Sequence, residues 1–432
     1  IAQRFEAYGL EPGWKRESYY YRWTTDLVQP LTQPGLALVG AEDLPAQEFL
    51  HQLHFGFMIE GHGGSGDVEA PVVFVGFELE PHQYTWESFR GLDLRGRIVL
   101  LLEGNAPHDF ATEALLHGAE GVLWISDSGR DDVRSQIQLA DPAKGYLTKP
   151  SIPVFQVRPS VAGAILERDG ILMSDLLLRD APDHGAGVAQ IGNGWFAREL
   201  SAVVRMHVSL GEPKRVEIPC VLGYKYGSDF DLSGQLIVLF AAYDGLGTDP
   251  DGTVFPAANH NASGVSLLLE TARVWQEQDL NARRSVLFVA WGGGQLDDSG
   301  ARAFFSDKRN FPRLSTSSLY GGFAPAVIIQ PDYVGAGGDR LFIHPDSDDR
   351  LAKLLRESAK EVGLGTTSEQ EKMLPYDELV SNRRTRWLHF TWADADVPPN
   401  QDSLEAMEVA KLQTVGEAFS LALTRIVRES SY

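Results

Sequence analysis

The 432-residue sequence holds a single cysteine, Cys220. Neither an intrachain disulfide nor a cage of thiolate metal ligands can therefore form. Cys220 lies in the apolar run 216–222, where a buried structural thiol is a plainer reading than a nucleophile. Basic residues are also short: 38 Lys and Arg stand against 59 Asp and Glu, for a formal charge of -21. Nucleic acid and anionic membrane are excluded as partners on that ground, since binding phosphates requires cations that release their counterions. No stretch approaches the roughly 20 uninterrupted apolar residues that span a bilayer. The opening Ile1-Ala2-Gln3-Arg4 has no charged-then-apolar leader, so the expectation is a soluble, processed ectodomain. Internal repeats and low-complexity tracts are missing too.

What is present is the ordinary apolar content of a globular protein, 43%, spread over a chain too long for one core. The first ten residues place Ile1, Phe5 and Tyr8 at helical spacing and reach Gly9, a residue common just past a helix end. From residue 35 to about 183, short β-type runs dominate: 71–76, 96–102, 121–126 and 152–157, with a helical stretch at 110–117. The Gly-rich segment 61–66 and the segment 180–187 read as flexible punctuation around this block. Beyond residue 190, strands at 203–208, 216–223, 235–242, 285–291, 326–330, 340–343 and 386–392 alternate with helices at 263–278, near Ala301, at 348–362 and at 403–428. That alternation predicts an α/β protein: a mixed, largely parallel sheet with helices on both faces and an inserted β-rich domain. The expected division is an N-terminal segment 1–34 packing on the main domain, an insertion over 35–188 and the main domain over 189–432. Sites on such sheets gather at the carboxyl ends of the strands.

Residues 236–247 (LIVLFAAYDGLG) followed by 257–265 (AANHNASGV) resemble the heart of the zinc aminopeptidase and glutamate carboxypeptidase-like metallopeptidases. In that family a strand ends in His-Tyr-Asp, and a Gly-Ala-Asp-Asp-Asn-Ala-Ser-Gly loop opens a helix. The segment 285–304 resembles the family's Glu-Glu strand and helix, and 326–335 is similar to its Asn-x-Asp-Met-x-Gly strand. Residues 35–183 resemble the protease-associated domain that several members carry as an insertion. The segment 5–12 matches the helix that precedes it.

The resemblance implies a dinuclear zinc site, but alignment inside each motif replaces its parts. Ala242 stands for the first His, Asn259 for the bridging Asp, Gly294 for the general base, Gln295 for the metal Glu and Pro398 for the last His. Asp332 keeps a ligand's identity. Two cations need anionic ligands and a bridging oxygen, and losing a general base costs about 10²–10⁴-fold in rate. The expected cofactor is therefore none, with no metal and no catalytic residue. Asp244 matches an orienting residue whose ring partner is gone, so it becomes an acceptor for backbone N–H groups. His260 takes the position flanking the bridging ligand, with its side chain expected to point away from the metals. An active zinc metallopeptidase with a site rebuilt from His260, Asp244, Asp332, Asp297 and Asp298 is the alternative.

Weaker signals take structural readings. His389 is a semi-buried strand residue in 387–392. Residues 248–252 spell part of a calcium loop without its closing Glu, and read as a turn. Asn261 and Ser263 read as capping groups. Gly292-Gly293-Gly294 lacks the Lys that a phosphate loop needs. The functional expectation is a non-catalytic, extracytoplasmic scaffold or interaction protein, secreted or anchored outside the sequence read here. Its partner is a protein or a second copy, and a pocket lined by Tyr243, Asp244, His260, Trp291 and Tyr333 is able to hold a peptide.

Overall fold

The computed structural model describes residues 1–15, 17–41, 44–59, 62–75, 93–102, 110–125, 138–139, 149–172, 197–296, 299–306, 325–345, 347–368, 385–395 and 397–429. The segment 180–187, Asp297 and Asp298 lie outside them. In chain order come α1 (Ala2–Ala7), β1 (Glu11–Pro12), β2 (Tyr20–Val28), β3 (Gly35–Leu38), β4 (Gln47–Phe49), β5 (Phe55–Met58) and β6 (Gly66–Val75). Next are β7 (Ile98–Leu102), α2 (Phe110–Leu116), β8 (Gly121–Ile125), β9 (Gln138–Leu139), β10 (Val154–Val157), α3 (Pro159–Glu167), β11 (Ala197–Val208) and β12 (Lys214–Lys225). The chain continues with β13 (Ile237–Ala242), β14 (Gly247–Thr248), β15 (Val254–Phe255), a π-turn (Ala258–Ala262), α4 (Ser263–Glu277), β16 (Val286–Trp291) and α5 (Ser299–Ser306). It closes with β17 (Val327–Pro331), β18 (Arg340–Ile343), α6 (Asp349–Glu361), β19 (Gly365–Thr367), β20 (Arg386–Trp392) and α7 (Val409–Arg428).

The main sheet runs β19-β18-β20-β17-β13-β16-β12-β2-β9, with β1 on β12. Its centre is parallel: β13 pairs in register with β16 from Ile237↔Val286 to Ala242↔Trp291, and with β17 on the other side. Every residue of β13 and β16 is buried, as continuous apolar runs require when helices cover both faces. Alternate residues feed two cores. Ile237, Leu239 and Ala241 join Phe5, Trp275, Leu355 and Phe419 beneath α1, α4, α6 and α7. Val238, Phe240 and Ala242 join Trp291 and Phe304 on the face that α5 covers.

A second sheet, β4-β3-β11-β6-β7-β8-β10-β5, has its own cores. The chain enters and leaves this lobe by two adjacent segments, where Leu31 N–H donates to Ser209 O at 2.7 Å and Gly211 N–H to Gln29 O at 2.9 Å.

Two boundaries differ from the sequence reading. β11 pairs with β3 and β6, so the second lobe extends to Val208 instead of ending at 188. The last helix does not start at Ser403: a short 3₁₀ turn at Leu404–Ala406 gives way to extended backbone at Met407, and α7 begins at Val409. The cause is Asp402, which caps another element, as shown below.

Phe288, in the middle of β16, packs against Phe5 and Trp275 with ring centroids 6.0 and 5.7 Å apart. Phe288→Ala is expected to lower unfolding free energy by about 3–5 kcal/mol, read from the urea midpoint at unchanged slope.

Candidate functional site

The loops leaving the carboxyl ends of β13, β16, β17 and β20 converge, tied together by side-chain contacts. After β13, Tyr243 turns its hydroxyl to donate to Pro219 O at 2.7 Å. Burial, with Cys220 and Asp244 nearby, pushes the phenol up to about 12. The Asp244 carboxylate accepts from Gly294 N–H at 3.0 Å and Gln295 N–H at 3.2 Å, which joins the loop after β13 to the loop after β16. Burial raises its pKa although these N–H groups pull it down. Burial likewise pushes the Cys220 thiol up to about 12, which makes it a poor nucleophile.

The π-turn carries the next pair. Its entry residue Ala257 is left-handed, with φ at 57°. Asn259 N–H and His260 N–H donate to the two Asp402 oxygens at 2.5 and 2.9 Å, so this carboxylate caps the π-turn and leaves its own helix to begin later. The Asn259 amide is fully used: Oδ1 accepts from Gly335 and Ala336 N–H at 2.8 and 2.9 Å, and Nδ2 donates to Ala336 O and Ala395 O at 3.1 and 3.3 Å. Donor and acceptor are both needed there, which an amide supplies and a carboxylate does not.

With the turn clamped this way, the ring of His260 lies against Tyr333 and Gln295. The ring stacks on Tyr333 at 4.5 Å and 17°, and its Nδ1 lies 3.5 Å from Gln295 Nε2. Tyr333 holds φ at 47°, a strained value for an aromatic residue that aims its ring at His260. Among the described residues, buried Gln295 Oε1 meets no hydrogen-bond partner. Across the cleft, Asp332 Oδ2 accepts from Gln330 Nε2 at 2.5 Å and lies 3.3 Å from His389 Nε2.

Other expected residues stand apart. Trp291 is buried in the core, stacked on Phe240 at 4.2 Å. Pro398 is exposed on a turn whose carbonyl accepts from Gln401 N–H. Asn261 Nδ2 donates to the Asp244 carbonyl, and Ser263 Oγ donates to Asn259 O at 2.6 Å while receiving Val334 N–H. Gly294 is tightly enclosed: a Cβ there would sit 2.7 Å from Ala242 Cβ and 3.2 Å from Asp244 Oδ1. Sequence reasoning gave His389 no role beside Asp332. A histidine inside an apolar alternating run carries no sign of which neighbouring strand's side chain it meets, and the β17–β20 pairing of Gln330 with His389 supplies that. Among the described residues, no three His, Cys, Asp or Glu side chains are grouped closely enough to hold a metal ion.

Residues 227–418 match Peptidase family M28. The aminopeptidase from Aneurinibacillus sp. strain AM-1 is similar in structure, with TM-score 0.59 at 16% identity over 99% of this chain and 87% of that one. A zinc aminopeptidase from Bacillus subtilis gives 0.56 at 15% identity over 100% and 88%, and the Peptidase M28 precursor from Shewanella amazonensis SB2B gives 0.57 at 12% over 100% and 87%. No curated protein matches the chain. The shared feature at such identities is the mixed α/β fold of the M28 aminopeptidases.

Two substitutions probe this site. Asn259→Asp places an oxygen against the carbonyls of Ala336 and Ala395, and is expected to cost about 3 kcal/mol at neutral pH. The loss shrinks in acid, where the new carboxyl is protonated. Asp244 has a folded pKa above its unfolded one, so its contribution is most favourable below the ordinary carboxylate pKa and is lost as pH rises through the raised value. The stability difference between wild type and Asp244→Asn should move in the variant's favour across that window in urea titrations. A difference independent of pH would contradict the assignment.

Proposed function

We propose that this chain is a non-catalytic interaction protein built on the M28 aminopeptidase fold, with its cleft kept as a binding surface. The observation that supports the reading is the enclosure of Gly294, the residue that the sequence aligns with the general base: a Cβ there would sit 2.7 Å from Ala242 Cβ, so that no side chain fits without a shift of its surroundings. A hydrolase using metal-bound water needs a carboxylate at that point.

The side chains present do not fit two zinc ions. Ala242 and Pro398 have no donor atoms, Gln295 is neutral, and the Asn259 amide is spent on four backbone bonds. Asp332 adds one carboxylate, and two dications need several anionic ligands. Asp244, which a rebuilt site would require, is committed to the amides of Gly294 and Gln295. What the cleft offers is recognition chemistry: the His260–Tyr333 stack beside the orphaned Gln295 carbonyl. A stacked aromatic face and a buried acceptor suit a peptide segment or a partner's loop. We assign the second lobe to a protease-associated-like domain serving as a docking face, in an extracytoplasmic protein, secreted or anchored, whose partner is another protein.

Elemental analysis of protein purified without chelator, joined to aminopeptidase assays over a mixed peptide panel with and without zinc, tests the reading. Less than about a tenth of an equivalent of transition metal and no turnover are expected, given the missing donors. One equivalent of metal, lost together with peptidase activity in Asp332→Ala, would instead identify an active metallopeptidase with a rebuilt site.

A further inference from the structure

The two lobes keep separate apolar cores: the clusters around β7, β8 and β10 share no residue with those around β13 and β16. Covalently they are joined by the adjacent segments 28–35 and 208–214. Bodies connected in this manner move relative to one another unless a specific contact holds them. Besides the two-residue pairing of β9 with β2 of the main sheet, one side-chain contact is prominent. Asp249, in the loop between β14 and β15, is buried to 3% exposure and receives three side chains from the second lobe and its connector. His51 Nδ1 lies 2.8 Å from Asp249 Oδ2, Gln52 Nε2 donates to Oδ1 at 2.6 Å, and Gln33 Nε2 donates to Oδ2 at 3.1 Å. Gln33 Oε1 in turn accepts from Asp251 N–H at 3.3 Å.

Two features mark this contact as held under tension. Gln52 adopts φ of 62°, a left-handed backbone that a glutamine takes only when its surroundings impose it. Its Oε1 is buried and meets no hydrogen-bond partner among the described residues, so closure strips water from that carbonyl without a replacement from them. The left-handed backbone and the dehydrated carbonyl of Gln52 both favour release. Such a contact opens and recloses readily. The loop that carries Asp249 runs directly into the π-turn bearing Asn259 and His260.

We propose that Asp249 is a latch: with His51, Gln52 and Gln33 it pins the second lobe against the rim of the cleft, and its release lets the lobe swing about segments 29–31 and 209–211 and frees the π-turn. This device is independent of whether the cleft binds or cuts its ligand.

Hydrogen–deuterium exchange and small-angle scattering on the full chain test it. In Asp249→Ala, exchange in 29–33, 247–255 and 258–262 should rise at least about tenfold, while β7, β13 and β16 keep their protection, as local opening requires. The maximum dimension should increase as well. Unchanged exchange with unchanged scattering would overturn the proposal, as would loosening confined to 247–255 with 258–262 unaffected. If Asp249→Ala loses protection throughout, Gln33→Ala carries the test, because it removes one donor and leaves the contacts of His51 and Gln52 with Asp249. The same segments should then exchange about two- to fivefold faster, and no change there overturns the latch.

Discussion

The cleft end of the molecule depends on how closely the chain after β13 approaches the chain after β16, and the Asp244 carboxylate fixes that approach. Its oxygens take the amides of Gly294 and Gln295, and the glycines allow the contact. A Cβ at Gly292 would lie 2.7 Å from the Tyr243 hydroxyl, and one at Gly300 would run into the Gly292 carbonyl. With the loop seated this deeply, Tyr243 reaches Pro219, Ala242 meets Gly294, and Trp291 is sealed beneath. The arrangement forgoes room for a side chain at position 294 and gains a rigid loop.

A common principle covers the other polar residues at the strand ends. Asp402, Asn259, Ser263 and Asn261 all spend their side chains on backbone groups of neighbouring loops. Each is small and short-armed, and each satisfies N–H or C=O groups that the irregular loops would otherwise leave unmade. Rigidity at these strand ends is thereby obtained from hydrogen bonding.

Much of the architecture was legible where physical chemistry is local. The runs that became β13, β16 and β17 are apolar on both faces, and α4 shows a helical stripe bounded by Ser263. β2 was not read as a strand: Tyr20–Val28 mixes exposed and buried positions, and its partner β12 begins at Lys214. The contacts of His260 with Tyr333 and Gln295 were hidden for a different reason. Side-chain direction around a π-turn entered through a left-handed Ala257 follows no simple period, so neighbouring Asn259 and His260 could be identified by type but not by facing. The helix expected from residue 403 begins at Val409, and Asp402 just ahead of that expected start is the right residue for a cap. It does cap, on the turn at Asn259 and His260.

The placement of the second lobe bears on how the chain folds. β2 and β12 align over Tyr20–Leu27 and Val221–Lys214, with the entire lobe between them in sequence. Closing so long a flexible loop would carry an entropic penalty before any pairing could repay it. The bonds between Leu31 and Ser209 and between Gln29 and Gly211 show that the folded lobe brings its two ends together. Once the lobe has formed, the main sheet experiences the insertion as little more than a tight connection, so the natural order of assembly is lobe first and edge of the main sheet afterwards.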